Sequence, residues 1–491
     1  MSRFKVLFVY PNVSGSMLIP IHIPLLSACL KREGFDVELF DTTYYSVGVD
    51  FEKEKERLLM LKPFERGQDF RTEKQCYTDL VDMVDSYRPN LVAFSVVEDT
   101  IPFALRLAEE VTVGIPIVFG GVGATFNKER LLDVGIVDYV CVGEGEKALV
   151  ELCRALEEGD GEGVVNNIVT PFRRKVVLNT LIDLETLPVP DFSIFPEKRL
   201  NRVMHGELFK MLHVEIDRGC PFACSYCESP ALTNLYRKEK QSGYYRQKSA
   251  EKVMADFTEI KRLYNPDYFD FDSETFLARE TGKFLRLMSQ YKKEIDLPFW
   301  CQTRLETVDH IKIKALKDAG VADMQFGIES ANDALRRSDL NRIVGNDVMF
   351  NAIRIVEDAK IKYSLNFIIG FPNETRKTVF ESINFFKACN SEFAKTANVY
   401  IAVAYKGTAL YDYCITNDLL EEGHSTHTLL GGSPIKLKNI SREEILGLQR
   451  TFSLHARMGD EFLEEIELAE EIGRGDIAFE DLSKIYVDRY Y

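Results

Sequence analysis

The stretch Phe209-Lys-Met-Leu-His-Val-Glu-Ile216, running straight into Asp217-Arg-Gly-Cys220-Pro-Phe-Ala-Cys224-Ser-Tyr-Cys227, decides how the chain is read. An apolar run broken by Gly219 and Pro221 predicts a buried strand that ends in a tight loop. The loop places three cysteines within eight positions at C-x₃-C-x₂-C spacing, so a compact turn can aim three thiolates at one metal centre. Four thiolates would fill the shell of zinc or close a four-iron cluster, whereas three leave one iron without a protein ligand. That iron is then free to bind a small molecule.

Two plainer readings compete. The cysteines can be small apolar residues, or they can hold zinc with a fourth ligand nearby. His213 is in reach along the sequence but lies inside the strand-like run. The other seven cysteines, at 29, 76, 141, 153, 301, 389 and 414, show no second cluster spacing and sit mostly in apolar runs. They read as buried thiols of a protein from a reducing compartment, and the chain is expected to be cytoplasmic.

The cysteine spacing, with Tyr226 ahead of the last thiol, resembles the cluster loop of the radical S-adenosylmethionine (SAM) superfamily. The resemblance implies a [4Fe-4S] cluster on Cys220, Cys224 and Cys227. It also implies that the amino and carboxylate groups of SAM chelate the open iron, and that reductive cleavage yields a 5′-deoxyadenosyl radical.

Downstream, strands are expected at 209–217, 267–273, 298–302, 322–328, 363–370 and 396–404, with helical periodicity between them, as in Glu251–Tyr264 and Asp309–Ala319. Six such units predict a partial (β/α)₆ barrel with its active centre at the C-terminal mouth of the strands. Candidate polar residues fall at the strand ends: Asp272 and Glu274, able to hold a ribose or amino group; Arg304, a fork for a carboxylate; and Glu329, an acceptor for an ammonium. The phrases "QTR", "GIES" and "IIGFPNET" resemble motifs of the same family, which implies SAM contact at Tyr226, Glu274, Arg304 and Glu329. Ser273 stands where many relatives carry an acid.

Upstream, Phe4–Tyr10, Val37–Phe40, Leu91–Val97, Ile115–Phe119 and Tyr139–Val142 are predicted strands. They alternate with helices such as Pro24–Arg32, apart from a polar insert over Thr42–Lys74. This alternation predicts a doubly wound parallel sheet, with ligand-binding loops at the C-terminal strand edges. The G-x-G-x-x-G fingerprint is missing after the first strand, which disfavours NAD. The segments "PLLSACLKREGFDVELFD", "LVAFSV", "IPIVFGGVGAT" and "VDYVCVGEGEKALVEL" together resemble the cobalamin (B12)-binding domain of one radical SAM class. The resemblance implies cobalamin contacts at Ser95, Val97, Glu98, Gly120, Gly121, Thr125, Gly143 and Glu144. Val122-Gly123 replaces the Pro-His of many relatives, and no Asp-x-His-x-x-Gly motif supplies a lower axial histidine. Any bound cobalt is therefore expected to lack a histidine beneath it, which favours cycling between Co(I) and methyl-Co(III).

The expected organisation is an α/β chain with a Rossmann-like cobalamin domain (1–160), a proline-rich linker (161–205) carrying "LPVPDF", a TIM-type partial barrel (206–405) and a mostly helical C-terminal region (406–491). In that last region Ser441-Arg-Glu-Glu444 starts a helix to Arg457 with a capping-box signature. His424, His427 and His455 show no ligand spacing and read as surface or packing residues. Asn234–Gln247, basic and tyrosine-rich, reads as a solvated loop over the cluster. At 491 residues the chain is long enough for two or three domains. Its formal charge of −16, from 61 Lys and Arg against 77 Asp and Glu, argues against nucleic acid as a partner. No apolar run spans a bilayer, and the N-terminus shows no signal peptide.

The resemblance implies a cobalamin-dependent methyltransferase acting on an unactivated carbon or phosphorus centre of a small molecule, through methylcobalamin and the 5′-deoxyadenosyl radical. A flavodoxin- or ferredoxin-type donor would supply the electron. Two alternatives stay open: a non-methylating enzyme with the same cofactors, performing oxidative cyclisation or ring contraction, and a non-catalytic cobalamin or Fe-S sensor.

Overall fold

A computed structural model describes residues 3–67, 69–161, 163–389, 391–421, 432 and 434–491. His424 and His427 lie outside the described residues. Two sheets organise the chain. The first has the order β2-β1-β3-β4-β5-β6, built from β1 (Lys5–Tyr10), β2 (Asp36–Asp41), β3 (Leu91–Ser95), β4 (Ile117–Gly120), β5 (Tyr139–Cys141) and β6 (Ile168–Val169). Its first five strands are parallel, and β6 pairs antiparallel with β5. The order reverses between β1 and β3, so the loops after these two strands part and leave a crevice at the sheet's C-terminal edge.

Apolar runs such as Lys5-Val-Leu-Phe-Val-Tyr10 form strands here because helices cover both faces. Val6 and Phe8 enter one core, while Leu7 and Val9 enter the other.

The second sheet comprises β7 (Asn201–Met204), β8 (Glu207–Glu215), β9 (Tyr268–Asp272), β10 (Phe299–Arg304), β11 (Val321–Glu329), β12 (Lys362–Ile369) and β13 (Ala394–Ile401), in spatial order β13-β12-β11-β10-β9-β8-β7. Strands β8 to β13 run parallel as the six expected units. β7 adds an antiparallel edge through a hairpin at His205-Gly206, both with positive φ. The segment 161–205, read from the sequence as a linker, thus gives one strand to each sheet. Between those strands Leu184, Leu187 and Phe192 bury themselves in a core continuous with both domains.

The insert after β2 forms a helix, Phe51–Arg57, capped by Asp50. Leu59 beyond it packs against Leu454, Met458 and Phe479 of the C-terminal helices, and Phe64 packs against Val203 of β7. The insert therefore ties the first domain to the barrel edge and to the tail. In that tail, the helix Arg442–Arg457 begins at the expected Ser441/Glu444 capping box. His455 there is buried, bonds Glu470 at 2.7 Å and meets the Phe380 ring edge-on. Among the described residues no helix is long and apolar enough to cross a membrane.

Candidate active site between the two sheets

The cysteine loop leaves β8 at the mouth of the barrel. Cys220, Cys224 and Cys227 are partly exposed, while the other seven cysteines are buried and unpaired. Each of the three sulfurs meets a polar partner. Cys224 Sγ accepts from Arg304 Nη1 at 3.2 Å, Cys227 Sγ accepts from the Ser229 amide at 3.4 Å, and Cys220 Sγ lies 3.4 Å from Thr275 Oγ1. Such donors stabilise thiolate ligands and tune a cluster they hold. Three presented thiols, two of them with N–H donors at the sulfur, fit a cluster better than inert core cysteines. The proposed zinc ligand His213 points elsewhere, with Nδ1 3.1 Å from Asp270 Oδ2.

Around this loop the structure links three of the four expected SAM contacts. Arg304 lies over the Phe222 ring, 3.8 Å from its centroid, and its Nε bonds Glu306 at 2.8 Å. Arg342 donates to Glu329 Oε1 (2.7 Å), the Gly327 carbonyl (2.8 Å) and the Tyr226 hydroxyl (3.3 Å). Arg342 is buried, and no sequence motif singled it out; its signal is only a cation beyond the short helix Asp333–Ser338 that follows "GIES". Burial pushes the Glu329 carboxyl above its ordinary range against the pull of Arg342, Tyr226 and Arg304. Glu329 also holds φ at +63°, a left-handed conformation that non-glycine residues seldom adopt and that clusters at functional sites. The fourth contact, Glu274, lies beyond the end of β9, close enough for its charge to act on Cys220 and Cys227, and lines the space facing the first domain.

There a cavity of about 490 Å³ runs between the two sheets. Its floor is the crevice of the first sheet: Ser95 and Val97 after β3, Gly120 and Gly121 after β4, Thr125, and Gly143 and Glu144 after β5. Its far wall is the barrel mouth, with Glu215, Asp217, Arg218, Asp272, Ser273 and Glu274. Seven of the eight residues expected to touch cobalamin thus share one cavity. Glu98 does not line it; its carboxylate accepts from the Lys406 amide at 2.8 Å. His22, which sequence reading passed over, lines the cavity and bonds Ser95 Oγ at 2.6 Å through Nε2. The surrounding protein lowers its pKa to about 4, so the ring is neutral at pH 7.

Glycine is required at two of these loops. At Gly121 φ is +97°, and a Cβ would fall 2.6 Å from the Val96 carbonyl oxygen; at Gly143 φ is +78°, and a Cβ would fall 2.5 Å from Tyr236 Oη. That second contact corrects the reading of Asn234–Gln247 as a solvated loop. Its first part completes the helix Glu228–Lys238, and Tyr236 and Tyr244 are buried with rings stacked 5.2 Å apart. Tyr236 Oη accepts from the Glu144 amide at 2.8 Å. The tyrosines that suggested a solvated surface are the apolar seal between the domains, and Arg246 of this segment, with Arg218, pairs across it. Arg246 bonds the Glu144 carboxylate and the Ile182 carbonyl, and Arg218 reaches Glu144 (3.1 Å), Glu146 (2.7 Å) and Glu215 (2.8 Å).

The polar inventory fits the implied groups. The rim of a corrin carries amide side chains, which need both donors and acceptors. The cavity offers carboxylates, glycine-loop amides and a buried Asp217 Oδ2 that no hydrogen bond occupies. Burial lifts the Asp217 carboxyl to about 7, against a hydrogen bond from Ser273.

A cysteine-bearing half-barrel whose mouth faces the ligand crevice of a doubly wound domain defines an enzyme that works with a metal cluster and a second bound cofactor. Family comparison gives both halves a name. Residues 214–386 match the Radical SAM superfamily, and residues 9–153 match the B12 binding domain. The chain belongs to the cobalamin-dependent radical SAM enzymes, which implies a [4Fe-4S] cluster, SAM and cobalamin as its cofactors.

Among curated relatives, an uncharacterised methyltransferase of Pyrococcus horikoshii is 25% identical over 78% of this chain and 82% of its own length. The anaerobic magnesium-protoporphyrin IX monomethyl ester cyclase of Cereibacter sphaeroides is 24% identical, over 77% and 59%. The hopanoid C-3 methylase of Methylococcus capsulatus is 25% identical, over 80% and 68%. Among solved structures, the cobalamin-dependent SAM radical enzyme OxsB superposes with a TM-score of 0.65 at 13% identity, covering 99% of this chain and 75% of that one.

Proposed function

We propose that this protein is a methyltransferase acting on an unactivated carbon or phosphorus centre of a small molecule. When bound, cobalamin supplies a methyl donor, and the cluster with SAM supplies a radical able to take hydrogen from an unreactive position. The protein's task is placement. Cys220, Cys224 and Cys227 hold the cluster; Tyr226, Arg304, Glu329 and Glu274 orient SAM; and Ser95, Val97, Gly120, Gly121, Thr125, Gly143 and Glu144 cradle cobalamin. Arg218 and Arg246 lock the two domains so that the reacting groups meet in one water-restricted space. The domains correspond to 1–160 and 206–405, joined through 161–205 and closed by 406–491.

The observation that carries this reading is the single cavity lined by both the cobalamin-type loops and the barrel mouth. Methyl transfer is preferred over cyclisation because the Pyrococcus relative, matched over 82% of its own length, bears a methyl-transfer name. A small flavin or iron-sulfur protein of the reducing cytoplasm would supply the electron, and the unpaired cysteines suit that compartment.

The test is anaerobic incubation of the reconstituted protein with methyl-labelled SAM, a reductant and candidate small molecules. Label recovered in a product alongside 5′-deoxyadenosine is expected. Deoxyadenosine accompanied by an unlabelled, altered product would replace methylation with oxidative chemistry.

A further inference from the structure

The half-barrel carries a set of side chains that neither the cluster nor the SAM contacts use. Strands β10 to β13 send alternate residues into the helix-covered core, and the rest face the barrel lumen. Each of these four adjacent strands contributes one carboxamide to that lumen: Gln302, Gln325, Asn366 and Asn398. The register sets Gln302 beside Gln325, and Asn366 beside both Gly327 and Asn398, while Arg304 also pairs with Gly327. The two asparagines therefore share the layer of Arg304. The two glutamines lie one layer beneath, about 7 Å deeper at the usual strand rise.

The amides are tied to one another and remain incompletely used. Asn366 Oδ1 accepts from Gln325 Nε2 and from Asn398 Nδ2 (2.9 Å), and Gln302 Nε2 reaches the Ser273 carbonyl at 3.4 Å. Among the described residues this leaves Asn366 Nδ2 as a donor, with Gln302 Oε1, Gln325 Oε1 and Asn398 Oδ1 as acceptors, all without a protein partner. Gln302, Gln325 and Asn366 are only half-buried, so they front an accessible lumen rather than a core. In the glutamine layer Thr396 Oγ1 bonds Ser364 Oγ at 2.9 Å, and Tyr400 stands one layer above Asn398. This polar surface lies between an apolar floor, where Trp300 one layer below Gln302 packs with Met211 and Tyr268, and Ile368 one layer above Asn366.

We infer that this carboxamide row reads the substrate, and that it takes a small hydrophilic molecule presenting an amide-type edge. Such an edge has a C=O and an N–H side by side, as in a peptide bond, a lactam or a nucleobase. A carboxamide matches that edge with one hydrogen bond in each direction. A hydrocarbon in the same place would strip water from the amides and return no partner, and a simple ester would accept one bond through its carbonyl but leave the carboxamide oxygens unpaired. The inference rests on the reading that SAM binds at the mouth directly above, and it deepens that reading by naming the substrate class.

The test uses the full reconstituted chain with SAM. Ligand-observed NMR compares uridine and 2-pyrrolidinone with γ-butyrolactone, the ester that replaces the lactam N–H by oxygen. The lactam and the nucleoside are expected to bind, the lactone at least tenfold more weakly. Asn366→Leu and Gln325→Met should each weaken both binders at least tenfold while the SAM Kd stays within twofold; Gln302→Met serves if either variant fails to fold.

Equal binding of lactone and lactam would overturn the inference, as would variants that keep full binding. A parallel loss of SAM affinity would do the same, since it would assign the row to SAM. Binding of these probes needs no methyl transfer. Intact lactam selectivity with no label in any product therefore counts against methylation alone, whereas labelled product with no such selectivity counts against the row alone.

Discussion

The first sheet is dry on both faces, and the second is dry on one. Along β1, successive residues alternate between two separate hydrophobic cores. Along β12, Tyr363, Leu365, Phe367 and Ile369 are buried under helices, while Ser364, Asn366 and Ile368 between them are half-exposed to the lumen. A sheet covered on both sides can meet a ligand only at its strand ends, so its functional residues crowd into the loops after β1, β3, β4 and β5. A half-barrel keeps one face free and can set chemistry along the whole depth of its strands. The two halves thus divide the labour: one presents a rim, the other a rim and a shaft.

The largest effect that can break this comparison comes from the rim of the second sheet. Cys224→Ala is expected to lower 5′-deoxyadenosine formation by roughly 100-fold or more, read by chromatography after anaerobic reconstitution, with cluster absorbance lost in parallel. Cobalamin retention on the first sheet should be unchanged. A variant that lost both together would show that the two rims are one folding unit rather than two sites.

Next in size is the charge network under the cluster loop. Arg342→Met leaves the Glu329 carboxylate buried beside Tyr226 with its nearest cation gone. Removing one partner of a buried pair costs about 3–5 kcal/mol, measurable by urea titration, and Glu329→Gln in the same chain should return part of it. A cost under 1 kcal/mol would mean that solvent already reaches this side of the shaft.

The two faces can then be compared strand by strand. Leu7→Ala and Phe8→Ala should each cost roughly 2–5 kcal/mol, because neighbours on β1 both enter cores. On β12 the same experiment should split: Leu365→Ala in that range, Ser364→Ala within about 1 kcal/mol. Equal costs at Ser364 and Leu365 would erase the distinction between the sheets.

How far the sequence discloses each half follows from the same difference. Strands buried on both sides are written as apolar runs, so Phe4–Tyr10 and Leu91–Val97 could be read with errors of one or two residues at their ends. The barrel strands were legible because their outward residues keep the apolar beat, and the cysteine loop because its spacing has little use outside metal binding. Other features are silent in one dimension. β6 and β7 are two and four residues long, too short to leave a period. Arg342 acts only through a fold that brings it to Glu329. Tyr236, Tyr244 and Arg246 look like a solvated basic segment until the first domain is set against them. The four carboxamides are spread over 97 positions, and only strand register makes them neighbours.

The smallest effect concerns the joint between the sheets. The two domains share apolar core through Leu187 and Phe192, and beside the cavity the joint is ionic. Glu144 is its centre, accepting from Arg218, Arg246 and the Ile182 amide. Burial alone would raise its carboxyl, but the two guanidinium groups outweigh burial and hold it below its ordinary 4.5. A depressed acid stabilises the fold at pH values above 4.5, and that contribution is lost as pH falls through its lower folded value. Glu144→Gln removes the charge at every pH and should cost about 1.5–3 kcal/mol at pH 7. The gap in Tm between the two proteins should therefore narrow as pH falls below 4.5 and through the lower folded value. A gap that stays constant would assign the joint to its apolar side and leave Glu144 as an accessory of Tyr236 packing. A gap that closes would show that the dry sheet is held in register with the open one by charge, at the place where the cavity needs both rims aligned.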